Sequence, residues 1–185
     1  IENYTNNMWN YYGEIFVEYL FLKKFRYGDL NNNIEVVGQN IFDEIKSKNE
    51  SVIFISGHFD NFELMAMTIE KSGIKLSAIY RPLNNFFMNK IMESLRTKYI
   101  CKNQIKKGRS NIRDLLRSFN NGSSIALMID QRVSEGIKSK FFNKDAYTTT
   151  IPAQFVKKFN CKIVPINIER KQNSKFKLTV FNPIT

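Results

Sequence analysis

The chain has 185 residues and a formal net charge of +11 at pH 7, from 28 lysines and arginines against 17 acidic residues. Its 43% hydrophobic and 24% charged residues are typical of a globular protein and argue against disorder. Two cysteines far apart in sequence, Cys101 and Cys161, form neither a disulfide framework nor a CxxC metal clip. A single histidine, His58, excludes sites that need two or three histidines, such as HExxH zinc hydrolysis.

The positive charge favours acidic partners, namely phosphates, anionic lipid head groups or an acidic protein. No apolar run reaches about 18 residues, so no transmembrane helix is expected inside the chain. No Pro/Gly/Ser-rich linker divides the sequence, which indicates a single domain over residues 1–185. No signal peptide is visible, and because the sequence starts at Ile1 without an initiator methionine, we expect a piece of a longer protein.

Apolar periodicity predicts short strands that alternate with helices after a helical N-terminal segment. In chain order the elements are helices over 7–25 and 37–48, strand 52–56, helix 62–71, strand 76–80, helix 85–98, a weak strand over 100–105, helix 111–119, strand 124–129, a long polar loop, helix 152–159, and strands 162–168 and 176–181. This alternation predicts an α/β fold, with a mostly parallel sheet flanked by helices. Sites in such sheets form beyond the carboxyl ends of strands, where His58, Arg81 and Asp130 fall.

The segment Gly57-His58-Phe59-Asp60-Asn61-Phe62-Glu63 carries the main chemical signal. If His58 lies in the turn and Glu63 in the first helical turn, the carboxylate can fold back onto one imidazole nitrogen. The other nitrogen would then be a base toward a hydroxyl group. A capping turn is the alternative interpretation, in which Asp60 or Asn61 caps the helix and Glu63 complements its positive end.

Other polar residues near strand ends allow binding roles. A guanidinium such as that of Arg81 or Arg109 suits bidentate contact with phosphate, although either could be a solvated charge. Asp130 can pair with an arginine or accept from a sugar hydroxyl, or it can be a cap or loop residue.

The motif and several later blocks resemble the bacterial lipid A biosynthesis (lauroyl/myristoyl) acyltransferases, within the lysophospholipid acyltransferase group with its H-x4-D/E signature. The motif resembles that family's GHFGNWE, with Asp60 in place of glycine and Phe62 in place of tryptophan. The further blocks that match in order are Tyr80–Asn85, Gly108–Arg109, Asp130–Gln131, Phe141–Phe142 with Thr148–Thr149 and Pro152–Ala153, and Val164–Pro165.

The resemblance implies transfer of an acyl chain from acyl carrier protein to a hydroxyl of a phosphorylated lipid A precursor. His58 would be the general base and Glu63 would orient it, with no metal or other cofactor. The residues implied in acceptor binding are Asn61, Tyr80, Arg81, Arg109, Asp130 and Gln131. It also implies work at the membrane surface, on the cytoplasmic face of the bacterial inner membrane, although the family's N-terminal membrane anchor and much of its C-terminal region are absent from this sequence.

Two alternatives remain open. The same chemistry could acylate another glycolipid or phospholipid. A basic nucleic-acid-binding module is suggested by the net charge and 16 phenylalanines, but no RNP pattern, KH-type GXXG loop or zinc finger is present. The aromatic-rich residues 9–25 could lie on a membrane surface, and core packing is the interpretation we favour.

Overall fold

The computed structural model describes residues 2–108, 111–134 and 136–184. The helices are α1 (Glu2–Tyr19), α2 (Leu22–Tyr27), α3 (Gln39–Ser47), α4 (Glu63–Lys71), α5 (Phe86–Leu95), α6 (Ile112–Asn120) and α7 (Ile151–Phe159), with a 3₁₀ turn at Asp29–Asn33 and a π-helical turn at Arg96–Ile100. The strands are β1 (Ile34–Val37), β2 (Ile53–Ser56), β3 (Leu76–Tyr80), β4 (Asn103–Lys106), β5 (Ser124–Met128), β6 (Ile137–Phe141), β7 (Lys144–Thr148), β8 (Ile163–Arg170) and β9 (Phe176–Val180).

Within the described residues, seven strands form one sheet in the order β1-β9-β8-β2-β5-β3-β4. The strands from β8 to β4 in this order run parallel, β9 runs antiparallel to β8, and β1 is parallel to β9. The predicted α/β class with a mostly parallel sheet is therefore confirmed. Strands β6 and β7 form a separate antiparallel hairpin.

Apolar side chains cover both faces of the central strands. On one face Phe54 of β2 packs edge-on against Phe42 of α3, in a cluster that includes Leu64 of α4. On the other face Ile53 and Ile125 pack with residues of α6 and α7. Burial on both faces explains why these strands read as continuous apolar runs in the sequence.

The structure differs from the predicted elements in four places. The predicted helix over 7–25 is divided between α1 and α2. Strand β1, which was not predicted, precedes α3, and Gly38 adopts φ +87° at the boundary between these two elements. The predicted loop after Asp130 contains the β6–β7 hairpin, which is mostly exposed and therefore lacks an apolar pattern. The weak strand begins three residues late because a π-helical turn occupies Arg96–Ile100.

The aromatic-rich segment over residues 9–25 is partly buried and partly exposed. Tyr19 and Phe25 are buried in the core, as core packing predicts, whereas Trp9 and Phe16 are exposed. No helix among the described residues is long and apolar enough to cross a membrane. Cys101 and Cys161 are free and buried.

Candidate active site

Strand register brings His58 and Asp130 together at the carboxyl edge of the sheet. Ser56 of β2 lies opposite Met128 of the adjacent parallel strand β5, and each polar residue follows two positions later. Gly57 permits the close approach, because a Cβ atom there would lie 3.2 Å from Asp130 Oδ2. The fold thus juxtaposes an imidazole and a carboxylate that are 72 positions apart in sequence.

Asp130 holds His58 through two contacts. Its Oδ2 accepts the backbone N–H of His58 at 2.8 Å, and its Oδ1 lies 2.8 Å from the imidazole Nδ1. An ionised carboxylate can only accept, so Nδ1 carries the hydrogen in the neutral imidazole and Nε2 has a free lone pair. The Phe62 ring packs edge-on against the imidazole, with centroids 5.0 Å apart. The arrangement gives an oriented base.

The pKa of Asp130 is consistent with this role. Partial burial acts to raise the pKa, but the backbone and side-chain hydrogen bonds from His58 outweigh it and lower the pKa below its ordinary value. The carboxylate is therefore ionised at neutral pH. Because folding lowers this pKa, Asp130 favours the folded state at neutral pH, and that contribution is lost as the pH falls through the folded-state value.

Glu63 has different partners from those expected. It begins α4 and is buried, and its Oε1 accepts from Arg96 Nε at 2.8 Å, from Arg96 Nη2 at 2.5 Å and from the Tyr19 hydroxyl. Burial tends to lower the pKa of Arg96, but Glu63 and Tyr19 raise it overall. The carboxylate bonded to the imidazole is Asp130 instead of Glu63, because strand register places Asp130 beside the ring while Arg96 and Tyr19 engage Glu63.

Asn61 also lies away from its expected position. It is only 1% exposed, and its Nδ2 donates to Glu18 Oε2 of α1 at 2.6 Å. Glu18 in turn accepts from Arg170 at the end of β8. The side chain thus ties the motif to α1, and its burial is at odds with the predicted contact to an acceptor.

A small cavity of about 270 Å³, with both polar and apolar side chains in its lining, lies beside the imidazole. His58 and Glu63 line it together with four of the polar side chains at this edge, Tyr80, Arg81, Arg96 and Gln131. The Tyr80 hydroxyl donates to Glu93 at 2.5 Å. Burial is the main cause that raises the pKa of Tyr80, and this hydrogen bond raises it further. Arg81 is exposed and has no ion-pair partner among the described residues, so its guanidinium is free to bind an anion.

A larger, mainly apolar cavity of about 970 Å³ lies beside Asp130. Its lining includes Phe59, Phe141 and Tyr147, the last two from the β6–β7 hairpin, and Ile55 and Pro165 from the sheet. Ile55 packs toward the α6–α7 face, whereas Ala126 and Met128 of the small cavity pack toward the opposite face. The His58–Asp130 pair therefore lies between a small cavity of mixed lining and a larger, mainly apolar cavity, and Gln131 lines both.

A family model described as bacterial lipid A biosynthesis acyltransferase matches residues 2–185. The chain belongs to this family. A comparison with curated proteins finds no match. Membership confirms the resemblance based on the motif blocks, and it favours an enzyme over the nucleic-acid-binding alternative.

The backbone of this acyltransferase explains why Asp60 can stand in the motif where glycine is usual. Asp60 has φ +36°, in the left-handed region that favours glycine. Its Oδ2 accepts the backbone N–H of Arg170 at 2.8 Å, which compensates for the strained conformation. The side chain therefore couples the motif to the end of β8.

This coupling gives a prediction for a pair of variants. Asp60→Ala should lower the free energy of unfolding by about 1–3 kcal/mol, because it loses the hydrogen bond and keeps the strained φ. Asp60→Gly loses the same bond but relaxes the backbone, so its loss should be smaller. Denaturant unfolding of both variants measures the difference. Equal losses would show that the backbone conformation at Asp60 carries no cost.

Most of the remaining predicted site residues lie at the small cavity. Tyr80, Arg81 and Gln131 line the small cavity together with the two motif residues His58 and Glu63. Arg109 lies outside the described residues. The Phe62 backbone N–H, just before α4 begins, donates to the Asp60 carbonyl at 3.0 Å.

Sequence reasoning missed Arg96 and Tyr19, the partners of Glu63. Arg96 lies in a π-helical turn, and Tyr19 appears as one aromatic residue among many in the first helix. No local pattern distinguishes either residue, since both reach Glu63 only through tertiary packing. Within the described residues, no group of three or more His, Cys, Asp or Glu side chains could hold a metal ion.

Proposed function

We propose that this acyltransferase moves a fatty acyl chain from acyl carrier protein to a hydroxyl of a phosphorylated lipid A precursor, at the cytoplasmic face of the bacterial inner membrane. The observation that carries the proposal is the position of the His58–Asp130 pair between a small cavity edged by polar side chains and a larger, mainly apolar cavity. A reaction that joins a polar hydroxyl compound to an acyl chain needs both environments next to one base.

The reaction begins with the acceptor hydroxyl at His58 Nε2. As the hydroxyl oxygen attacks the thioester carbonyl, its proton moves to Nε2, and the ionised Asp130 stabilises the imidazolium that forms. The tetrahedral intermediate collapses by breaking the C–S bond. The imidazolium then returns the proton to the departing thiolate, so the products are the O-acyl ester and the carrier thiol.

Glu63 contributes through charge and position in this proposal. It lines the small cavity with His58, and Arg96 and Tyr19 fix its carboxylate. Its negative charge balances the Arg96 guanidinium, which would otherwise be an uncompensated cation beside the cavity. Arg96 prevents that carboxylate from being an unpaired buried charge.

The large cavity is the proposed site of the acyl chain. Its volume of about 970 Å³ lies near the upper end of ordinary ligand pockets, which span about 300–1,000 Å³. Ile55, Phe59, Phe141 and Pro165 supply an apolar lining that removes methylene groups from water. The net charge of +11 is suited to an acidic protein donor.

The small cavity is the proposed site of the acceptor head group. Arg81 is exposed at its edge, and a guanidinium can bind two phosphate oxygens at once. Gln131 and Tyr80 add polar groups around the same space. A phosphorylated sugar fits this set better than an uncharged acceptor does.

A two-substrate assay tests the proposed function. Purified protein is given an acyl-carrier-protein thioester and a phosphorylated lipid A precursor, with acyl-coenzyme A and a lysophospholipid as the alternative donor and acceptor. We expect an O-acyl product that requires the carrier-protein donor and the lipid A precursor, measured by mass spectrometry. Transfer only to the lysophospholipid would contradict the proposed acceptor.

Arg81 is predicted to determine acceptor affinity more than turnover. Arg81→Ala should raise KM for the phosphorylated acceptor by about 10-fold and leave kcat within about twofold, because it removes one charge-assisted phosphate contact. Arg81→Lys should recover part of the loss, since it keeps the charge but not the planar fork. Steady-state kinetics with phosphorylated and dephosphorylated acceptors measure the effect. An equal change in KM for both acceptors would contradict the phosphate contact.

A further inference from the structure

Exposed aromatic side chains cluster in the segments that follow three strands. We define the aromatic rim as Phe59 (51% exposed), Phe86 (62%), Phe87 (77%), Phe141 (66%) and Phe142 (86%). They follow β2, β3 and β5, which are adjacent and parallel in the sheet. The chain leaves all three strands at the same edge, so the rim lies at the carboxyl edge that carries the site.

The rim borders both cavities. Phe59 and Phe141 line the large cavity, while Phe86 and Phe87 begin α5 after the loop that contains Arg81. That loop is held against α5 because the Leu83 N–H donates to Asn89 Oδ1 at 2.8 Å. Large exposed apolar groups gathered around a site mark a surface that meets a partner.

Basic side chains accompany the rim. Lys90 Nζ lies 4.4 Å from the centroid of the Phe86 ring, one helical turn along α5. Lys107 follows the end of β4, and Lys144 follows the turn after Phe142; both are exposed. Aromatic rings beside lysines are the composition of surfaces that rest at the interface of an anionic bilayer.

We propose that the aromatic rim docks on an anionic lipid bilayer, with the rings at the acyl boundary and the lysines at the head groups. The proposal rests on the proposed function, since an enzyme that acylates a membrane lipid needs its two cavities to open toward the bilayer. A second copy of the chain is a poorer occupant. Two rims placed face to face would bring their lysines together, and like charges oppose association.

Vesicle co-sedimentation tests the docking directly. Wild-type protein should bind vesicles that contain phosphatidylglycerol and should bind phosphatidylcholine vesicles more weakly, with binding that falls as salt is added. The double variant Phe86→Ser/Phe87→Ser should bind about tenfold more weakly, because it removes two rings from the apolar boundary. Phe142→Ser should weaken binding in the same direction.

Ile184→Ser is the matched control. Ile184 is 54% exposed and pairs with Ile163 at the start of β8, on the opposite edge of the sheet, so its replacement should leave vesicle binding unchanged. Unchanged binding of the double variant, or no binding by the wild type, would overturn the proposal. A wild-type dimer that dissociates in the double variant would also overturn it, because a second copy would then cover the rim.

Activity separates this proposal from the proposed function. With detergent-dispersed acceptor, the Phe86→Ser/Phe87→Ser variant should keep wild-type turnover, because neither ring lines a cavity. His58→Ala should bind vesicles as the wild type does and should lack transfer. If the wild type binds vesicles but transfers no acyl chain, the proposed function fails while the docking surface stands.

Discussion

His58→Ala is expected to lower kcat for acyl transfer by about 10²–10⁴-fold, because it removes the only imidazole in the chain and with it the general base. KM for the acceptor should change little, since Arg81 and Gln131 still line the head-group cavity. Single-turnover measurements with the thioester donor separate the chemical step from product release.

The control for this variant concerns folding. His58 is partly exposed and its backbone N–H still donates to Asp130 after substitution, so the variant should unfold within about 1 kcal/mol of the wild type. His58→Gln keeps a polar side chain in the same place without a base of useful strength, and it should be as inactive as His58→Ala. A wild-type rate in either variant would rule out His58 as the base.

The sequence was sufficient to predict the fold class and the edge of the sheet at which the candidate residues lie. Buried parallel strands leave continuous apolar runs, and the residues that follow such runs, His58, Arg81 and Asp130, meet at one edge. Here the prediction succeeds because the signal is local and each strand end can be recognised by itself.

The pairing inside the site was not predictable in the same way. His58 and Glu63 are close in sequence, which favoured their pairing, whereas the register Ser56 to Met128 places Asp130 on the imidazole. Counting two positions beyond each strand end would have paired His58 with Asp130 once β2 and β5 were known to be neighbours. Strand order depends on the packing of the whole sheet, and local patterns do not carry it.

Asp130→Asn is expected to lower kcat by about 10²–10⁴-fold, although the asparagine side chain has nearly the shape of the aspartate. The amide carries no charge to stabilise the imidazolium, and its NH₂ group can donate to Nδ1, which favours the tautomer with hydrogen on Nε2. Glu63→Gln should also reduce kcat, since it removes the negative charge beside the cavity. Activity alone therefore does not distinguish the two carboxylates.

The tautomer of the imidazole distinguishes them, and the single histidine makes the measurement unambiguous. In ¹⁵N NMR at a pH where the ring is neutral, wild-type His58 should carry hydrogen on Nδ1, where Asp130 Oδ1 accepts it. Asp130→Asn should shift the population toward hydrogen on Nε2, whereas Glu63→Gln should leave the wild-type tautomer, because Glu63 is held by Arg96 and Tyr19. If Glu63→Gln alone changes the tautomer, Glu63 is the residue that orients the base, as its proximity in sequence had suggested.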